Sequence, residues 1–326
     1  MKVEGLQFID LFAGIGGFHQ ALSRNGASCV FSSEWDKHAA ATYKNNYGIQ
    51  PAGDITKIKE SDIPSHDILC AGFPCQAFSV SGKQKGFQDS RGTLFFDIAR
   101  IVKFHKPKLL ILENVKNFEK HDGGRTLEVV NKTLEELGYD VSYKVLNASH
   151  YGLPQNRQRI YFVCFRNDLN MPKFQFPKPT NKPITLSELL EKTPKNVNPI
   201  MRDDIVIHKM YNPQIDLCGN TVVENKPIRI GTVNKGGQGE RIYDVRGHAI
   251  TLSAYGGGVG SKTGLYKIGS TIRKLSPREC ARVQGFPDDF KIVSSTTQAY
   301  KQFGNSVAIN VLDEIVKKIK ITKKLH

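Results

Sequence analysis

Zinc-ligand spacing is missing from this sequence, and so is any CxxC pair. The six cysteines, Cys29, Cys70, Cys75, Cys164, Cys218 and Cys280, are scattered, several of them inside apolar runs. That excludes a disulfide framework and fits a reducing cytosol. No apolar run is long enough to span a bilayer, and MKVEGLQFIDLF lacks the apolar core of a signal peptide. A soluble, intracellular protein with no membrane partner is expected. No internal repeat is visible. Acidic residues are the scarcer charge: 31 against 46 basic ones, a formal net charge of +15. Such an excess favours a polyanionic partner. With 39% hydrophobic and 24% charged residues, disorder is not the expected state. A chain of 326 residues suits two domains, or one large domain with an insertion.

The pattern that is present alternates. Apolar runs LQFIDLF (6–12), ASCVFSSEW (27–35), HDILCAGF (66–73), KLLILENV (108–115) and RIYFVCFR (159–166) read as strands. Helical patterns stand between them, at DKHAAATYKNNY (36–47), LFFDIARIVKFH (94–105) and RTLEVVNKTLEEL (125–137). Strands alternating with helices predict an α/β fold with a mostly parallel sheet up to about residue 180. FQFPKPTNKP (174–183) reads as a linker. Residues 195–275 carry the Gly-rich, basic stretches KGGQGERIY and SAYGGGVGSKTG and predict a smaller, irregular, strand-rich domain. Helical signal returns at PRECARVQGF and VAINVLDEIVKKIKI.

Four features carry chemistry. AGIGG follows the first strand and opens a helix; Gly14 and Gly16 let a ligand approach the backbone at free helix N–H groups. Glu34 ends the second strand, where an acid commonly holds ribose hydroxyls, and Trp35 beside it can stack on a purine. Together they point to an adenosine-containing cofactor. A nicotinamide oxidoreductase would need GxGxxG, whereas Phe18 and His19 follow Gly16–Gly17. Asp54 lies in a loop expected at the same pocket, although an acid there is more often a turn cap. Glu113 is expected at the carboxyl end of a buried strand, where such sheets bind ligands and where a carboxyl tends to keep its proton. Cys75 follows another strand, behind Pro74, which stiffens the turn; a thiolate is a strong nucleophile even when little of it is ionised. The loop SVSGKQKGFQDSRG (79–92) has glycine hinges and Lys83, Lys85 and Arg91 for phosphates, as a lid would. Arg157 and Arg159 in QNRQRIY are expected to point to opposite faces of a strand start, one of them orienting an acid or an electron-rich ring. Cys70 is expected in the core.

DLFAGIGGF, EWD, GDI, GFPCQAFS, RGTLFFD, ENV, YGLPQNRQR, RKLSPRECARVQGFP and GNSV occur in this order across almost the whole chain. The chain thereby resembles the DNA cytosine-5 methyltransferase family. The resemblance implies a Rossmann-like S-adenosylmethionine-dependent methyltransferase sheet with a smaller, irregular target-recognition domain. It implies catalytic and cofactor-binding residues 1–187, recognition residues 188–276, a hinge at 277–303 and a C-terminal helix, 304–326, that returns to the catalytic domain. It implies that Cys75 attacks carbon 6 of a cytosine, that Glu113 contacts and protonates N3, and that Arg157 and Arg159 belong to the catalytic set, Arg159 orienting the base. Phe12, Gly14, Gly16, Glu34, Trp35, Asp54, Ile55, Pro74, Asn305 and Ser306 would hold S-adenosyl-L-methionine, and no metal is needed. The cytosine must flip from duplex DNA to be reached.

Ser81 matches the position that fills the vacated space, with Ser79 and Lys83 beside it on the DNA. KGGQGERIY and TLSAYGGG resemble the recognition loops of a family member that methylates GCGC, which implies that target. Arg241 would then read guanine, Gln238 would insert opposite the orphaned guanine, Thr251 would support backbone or groove contacts and Tyr255 base contacts. A monomer in a bacterial cytoplasm, associated with the nucleoid and paired with a restriction endonuclease, completes the expectation. Two alternatives remain at this point: an RNA cytosine methyltransferase of the same fold, and an inactive DNA-binding module.

Overall fold

Apolar runs flanked by turn residues set the architecture. A computed structural model describes residues 2–74, 94–180, 184–208 and 224–320. Cys75, Ser79, Ser81 and Lys83 lie outside the described residues. The chain divides into two units: Met1–Leu146 with Gln158–Lys178 and Leu312–His326, and Asn147–Arg157 with Pro179–Val311. Residues 147–157 and 179–187, expected with the catalytic domain, fall in the second unit, as do 277–311.

The first unit is built on a six-stranded sheet of β1 (Gln7–Leu11), β2 (Ser28–Ser33), β3 (Ile68–Gly72), β4 (Leu109–Val115), β5 (Tyr139–Asn147) and β6 (Gln158–Arg166), in the order β2-β1-β3-β4-β6-β5. β1 pairs in parallel with β2 and β3, and β3 with β4, while β6 runs antiparallel to β4. The central strands are apolar over most of their length because helices cover such sheets on both faces; Leu69, Cys70, Leu110 and Leu112 are wholly buried. Leu69, Leu110 and Leu112 pack with Ile98 and Val102 of α3 (Leu94–His105) and with Leu127, Val130 and Leu134 of α4 (Arg125–Glu136). Each such side chain contributes about 1.5–3 kcal/mol relative to exposure. α1 (Gly17–Arg24) and α2 (Lys37–Tyr47) follow β1 and β2. Asp36 caps α2 by accepting the amides of His38 and Ala39, as its position predicts. Successive strands leave β1 on opposite sides, so the chain's direction of winding reverses between β1 and β3. A crevice outside the carboxyl ends of those strands is the binding place that this topology creates.

The second unit holds a five-stranded sheet of β7 (Val206–Ile207), β8 (Ile228–Thr232), β9 (Arg241–Asp244), β10 (Leu265–Ile268) and β11 (Thr271–Arg273), ordered β11-β10-β9-β8-β7. Its short strands close on a small core of Ile230, Val233, Ile242, Leu265 and Ile272. α5 (Pro277–Val283) begins with Ser276 accepting the Glu279 amide and with proline at the first helical position. α6 (Thr296–Asn305) follows, and the boundary between the units falls inside α7 (Ile309–Lys318). Among the described residues no helix is long and apolar enough to cross a membrane.

Candidate active site

In the first unit, the turn after β1 is shaped for a ligand. Phe12, Gly14 and Gly16 all have left-handed backbone, with φ of 54°, 55° and 84°. For Phe12 this is an uncommon conformation of the kind that persists at functional sites. A Cβ on Gly14 would meet nothing within 4 Å, so that side of the turn is open; one on Gly16 would lie 2.2 Å from the Tyr47 ring. Glu34, just past β2, accepts the Gly14 amide at 2.8 Å and the Asp36 amide at 2.7 Å. Burial raises its pKa, and those two amide bonds oppose the rise. Beside it the Trp35 indole is 81% exposed. A carboxylate fixed by amides, an exposed indole and an open glycine turn at a helix start fit an adenosine cofactor. Asp54 caps the turn Ile55–Lys57 through the Thr56 amide and hydroxyl, which hold its pKa low; Ile55 is buried and Asp54 is half-buried.

Beneath this turn lies a polar cluster that the sequence pattern did not announce. His19 Nδ1 lies 2.7 Å from the Tyr43 hydroxyl, its ring stacks on Tyr47 at 3.9 Å, and the Tyr47 hydroxyl donates to Gly16 O at 3.0 Å. Burial pushes the pKa of His19 down to about 4 and that of Asp10, on β1, well up. Burial thus disfavours charge on either group, and the cluster supports the turn by packing and hydrogen bonds.

Two strands further along, Glu113 and Arg159 meet. Gly72 at the end of β3 pairs with Glu113 on β4, and Arg159 on β6 pairs with Val115. Arg159 is thus the diagonal same-face neighbour of Glu113, and its Nε lies 3.1 Å from Glu113 Oε1, with both side chains at most 14% exposed. On the opposite face Asn114 Nδ2 donates to Phe73 O at 2.9 Å, while its Oδ1 accepts the Val115 amide. Phe73 is wedged between Phe95 and Phe118. The chain therefore leaves β3 at Phe73 and an exposed Pro74, held against the β4 end that carries Glu113. Asn114 is a site residue to which sequence reasoning gave no role; its place next to Glu113 at a strand end was the available signal.

In the second unit, Arg157 is buried, and its guanidinium donates to the carbonyls of Leu252 (3.0 Å), Gly304 (3.1 Å) and Ser306 (2.6 Å). The expected divergence of Arg157 and Arg159 needs a different reason from strand alternation, because residues two apart in one strand share a face. β6 begins only at Gln158, so Arg157 lies outside the strand and braces three backbone segments, whereas Arg159 meets the acid. Gln155, also wholly buried, donates to Val283 O and accepts the Leu252 amide; sequence reasoning missed it too.

Asn305 is exposed at the end of α6 and Ser306 is buried. Gln238 and Tyr255 are exposed on Gly-rich loops. Arg241 begins β9, and its Nε is buried without a hydrogen-bond partner among the described residues. Thr251 donates its hydroxyl to Asn156 O. No group of three or more acidic, histidine or cysteine side chains among the described residues is placed to hold a metal ion.

Residues 6–321 match the model of a family described as C-5 cytosine-specific DNA methylase. The Type II methyltransferase M.HhaI of Haemophilus parahaemolyticus is 58% identical over 317 residues, which cover 96% of this chain and 94% of that protein. The Type II methyltransferase M.SsoII of Shigella sonnei is 46% identical over 322 residues, covering 96% and 79%. Among solved structures, the S. pombe Dnmt2 methyltransferase superposes with a TM-score of 0.68 at 20% identity, covering 95% of this chain and 97% of that one. At that identity the likeness speaks to the fold.

Proposed function

The chain belongs to the C-5 cytosine-specific DNA methylase family and is a DNA (cytosine-5-)-methyltransferase that takes its methyl group from S-adenosyl-L-methionine; on that premise we propose how its residues divide the work. Cys75 as thiolate attacks carbon 6 of a cytosine flipped from the duplex. Glu113 gives a proton to N3 as the bond forms, so the ring becomes an enamine that is nucleophilic at carbon 5. Arg159 holds the Glu113 carboxyl and the base in register. The cofactor supplies an electrophilic methyl group to carbon 5. A base, such as a water, then takes the proton from carbon 5, the thiolate leaves carbon 6, and N3 returns its proton to Glu113. The observation that carries this reading is the Glu113–Arg159 contact at 3.1 Å, beside the point where the chain leaves β3 toward Cys75.

Glu34 and Trp35, with Phe12, Gly14, Gly16, Asp54, Ile55, Pro74, Asn305 and Ser306, hold the cofactor in this proposal: the carboxylate takes the ribose hydroxyls and the indole the adenine. Arg157 enters it only as a brace, since its guanidinium is engaged by three carbonyls. Residues 188–276 recognise the target, GCGC by the likeness of the recognition loops, with Arg241 on guanine, Gln238 in the duplex, and Thr251 and Tyr255 supporting them. Ser79, Ser81 and Lys83 complete the DNA contacts. The relatives' names, Type II methyltransferases, support a type II restriction–modification setting. A monomer in the bacterial cytoplasm, paired with an endonuclease of the same specificity, is the finer form of that proposal.

The test is covalent trapping. Duplex DNA carrying 5-fluorocytosine at the target cannot lose fluorine in place of the proton, so the wild type should form a denaturation-resistant adduct in the presence of cofactor. Cys75→Ser should bind the same duplex and form none. An adduct retained by Cys75→Ser would remove Cys75 from the nucleophile's role.

A further inference from the structure

The loop that carries Gln238 is held by a polar cluster for which the methyl-transfer chemistry has no use. Asn234 stands where β8 has ended, with left-handed backbone at φ 45°. Its Oδ1 accepts from Arg202 Nη2 at 2.6 Å, and its Nδ2 donates to Glu240 Oε1 at 2.9 Å. Its backbone amide donates to Asp204 Oδ2 at 2.9 Å. Arg202 grips Asp204 with two bonds, at 2.7 and 2.9 Å. The second oxygen of Glu240 accepts the Gly237 amide at 2.9 Å.

The loop is also fixed from behind. Gly239 O accepts the Gly260 amide at 2.7 Å, and a Cβ on Gly239 would lie 1.9 Å from Gly257 O. Two Gly-rich loops thus pack backbone against backbone. Gln238 stands exposed at the tip, and no hydrogen bond among the described residues holds its side chain.

Exposed ion pairs contribute little to global stability, so that is a poor reason for three side chains to converge on one loop. Holding a binding loop in its working shape is a better one, because the ordering cost is then met before the ligand arrives. We infer that Arg202, Asp204 and Asn234 are positioning residues for DNA recognition, holding the 234–240 loop in the shape from which Gln238 and Arg241 reach the duplex. The inference rests on the reading of Gln238 and Arg241 as DNA-reading residues. Sequence selectivity then depends on a cluster that itself reads no base.

The experiment compares methylation rates on a duplex with the preferred site and on duplexes with one base pair of that site replaced, at saturating cofactor. Asn234→Gly keeps the left-handed backbone accessible and removes only the side-chain bonds; Arg202→Ala removes the other half of the cluster. Both should lower kcat/KM on the preferred site by about three- to ten-fold. Both should also narrow the ratio between preferred and altered sites, and leave KM for the cofactor unchanged. Equal losses on every duplex, or wild-type selectivity in both variants while Gln238→Ala and Arg241→Ala lose theirs, would overturn the inference. If Gln238→Ala and Arg241→Ala also keep wild-type selectivity, the recognition reading falls first and the inference with it.

Discussion

Glu113, Arg157 and Arg159 show how finely role depends on place. Glu113 sits at a strand end with Arg159 at 3.1 Å, and proton transfer to N3 is the step proposed for it. Glu113→Gln keeps the shape and removes the proton, so single-turnover methylation should fall by about 10²–10⁴-fold, with cofactor and DNA affinity within a few-fold of wild type. A normal single-turnover rate would mean that N3 takes its proton elsewhere. Arg157 should respond differently. Arg157→Met leaves three buried carbonyls without their donor, and unfolding in urea should show a loss of about 3 kcal/mol or more. A fully stable Arg157→Met with a chemical defect would return Arg157 to the catalytic group.

At the scale of elements, the turn between β1 and α1 offers the sharpest contrast. Gly14 and Gly16 both have positive φ, but only Gly16 has a ring against it, at 2.2 Å from a Cβ position. Gly14→Ala should cost about 1–2 kcal/mol for the left-handed backbone alone. Gly16→Ala adds a collision with Tyr47, and should lower the melting temperature further and weaken cofactor binding in titration. Equal melting losses would mean that Tyr47 yields freely.

The strands at 6–12, 27–35, 66–73, 108–115 and 159–166 were legible because their apolar runs, bounded by turn residues, stand out in the sequence. β5 was not, because YDVSYKVLN lies at the sheet's edge and mixes polar residues with partly buried ones. α6 was hidden for a similar reason: TTQAYKQFGN is mostly polar, and its buried side includes Gln302. The catalytic motifs could be read as motifs, whereas the braces Asn114, Gln155 and Asn234 could not. A side-chain amide whose partner lies 32, 41 or 128 residues away leaves no periodic mark in the sequence.

At the scale of the whole molecule, charge and proton uptake set the conditions under which it works. A net charge of +15 on a DNA-acting enzyme makes duplex affinity fall steeply and linearly on logarithmic axes as salt rises. Acid acts through buried histidine. Burial pushes the His66 pKa down to about 4, the bond to Pro64 O opposing only part of the shift. The unfolded chain takes that proton near 6.5, so it binds more protons than the folded chain between about 4 and 6.5, and stability is lost as pH falls through that window. The stability of His66→Gln relative to wild type should therefore improve between pH 6.5 and 4.5 in urea titrations. A difference constant with pH would mean that His66 takes up its proton equally well when folded.

The most direct measurement is base-resolution mapping. The protein is incubated with S-adenosyl-L-methionine and unmethylated genomic DNA, and every 5-methylcytosine is located by conversion sequencing. Cys75, Glu113 and the recognition loops together predict methylation confined to the first cytosine of GCGC, and none with Cys75→Ser. Methylation centred on another motif would contradict the target while leaving the chemistry in place. DNA that emerges unmethylated would contradict the central claim itself.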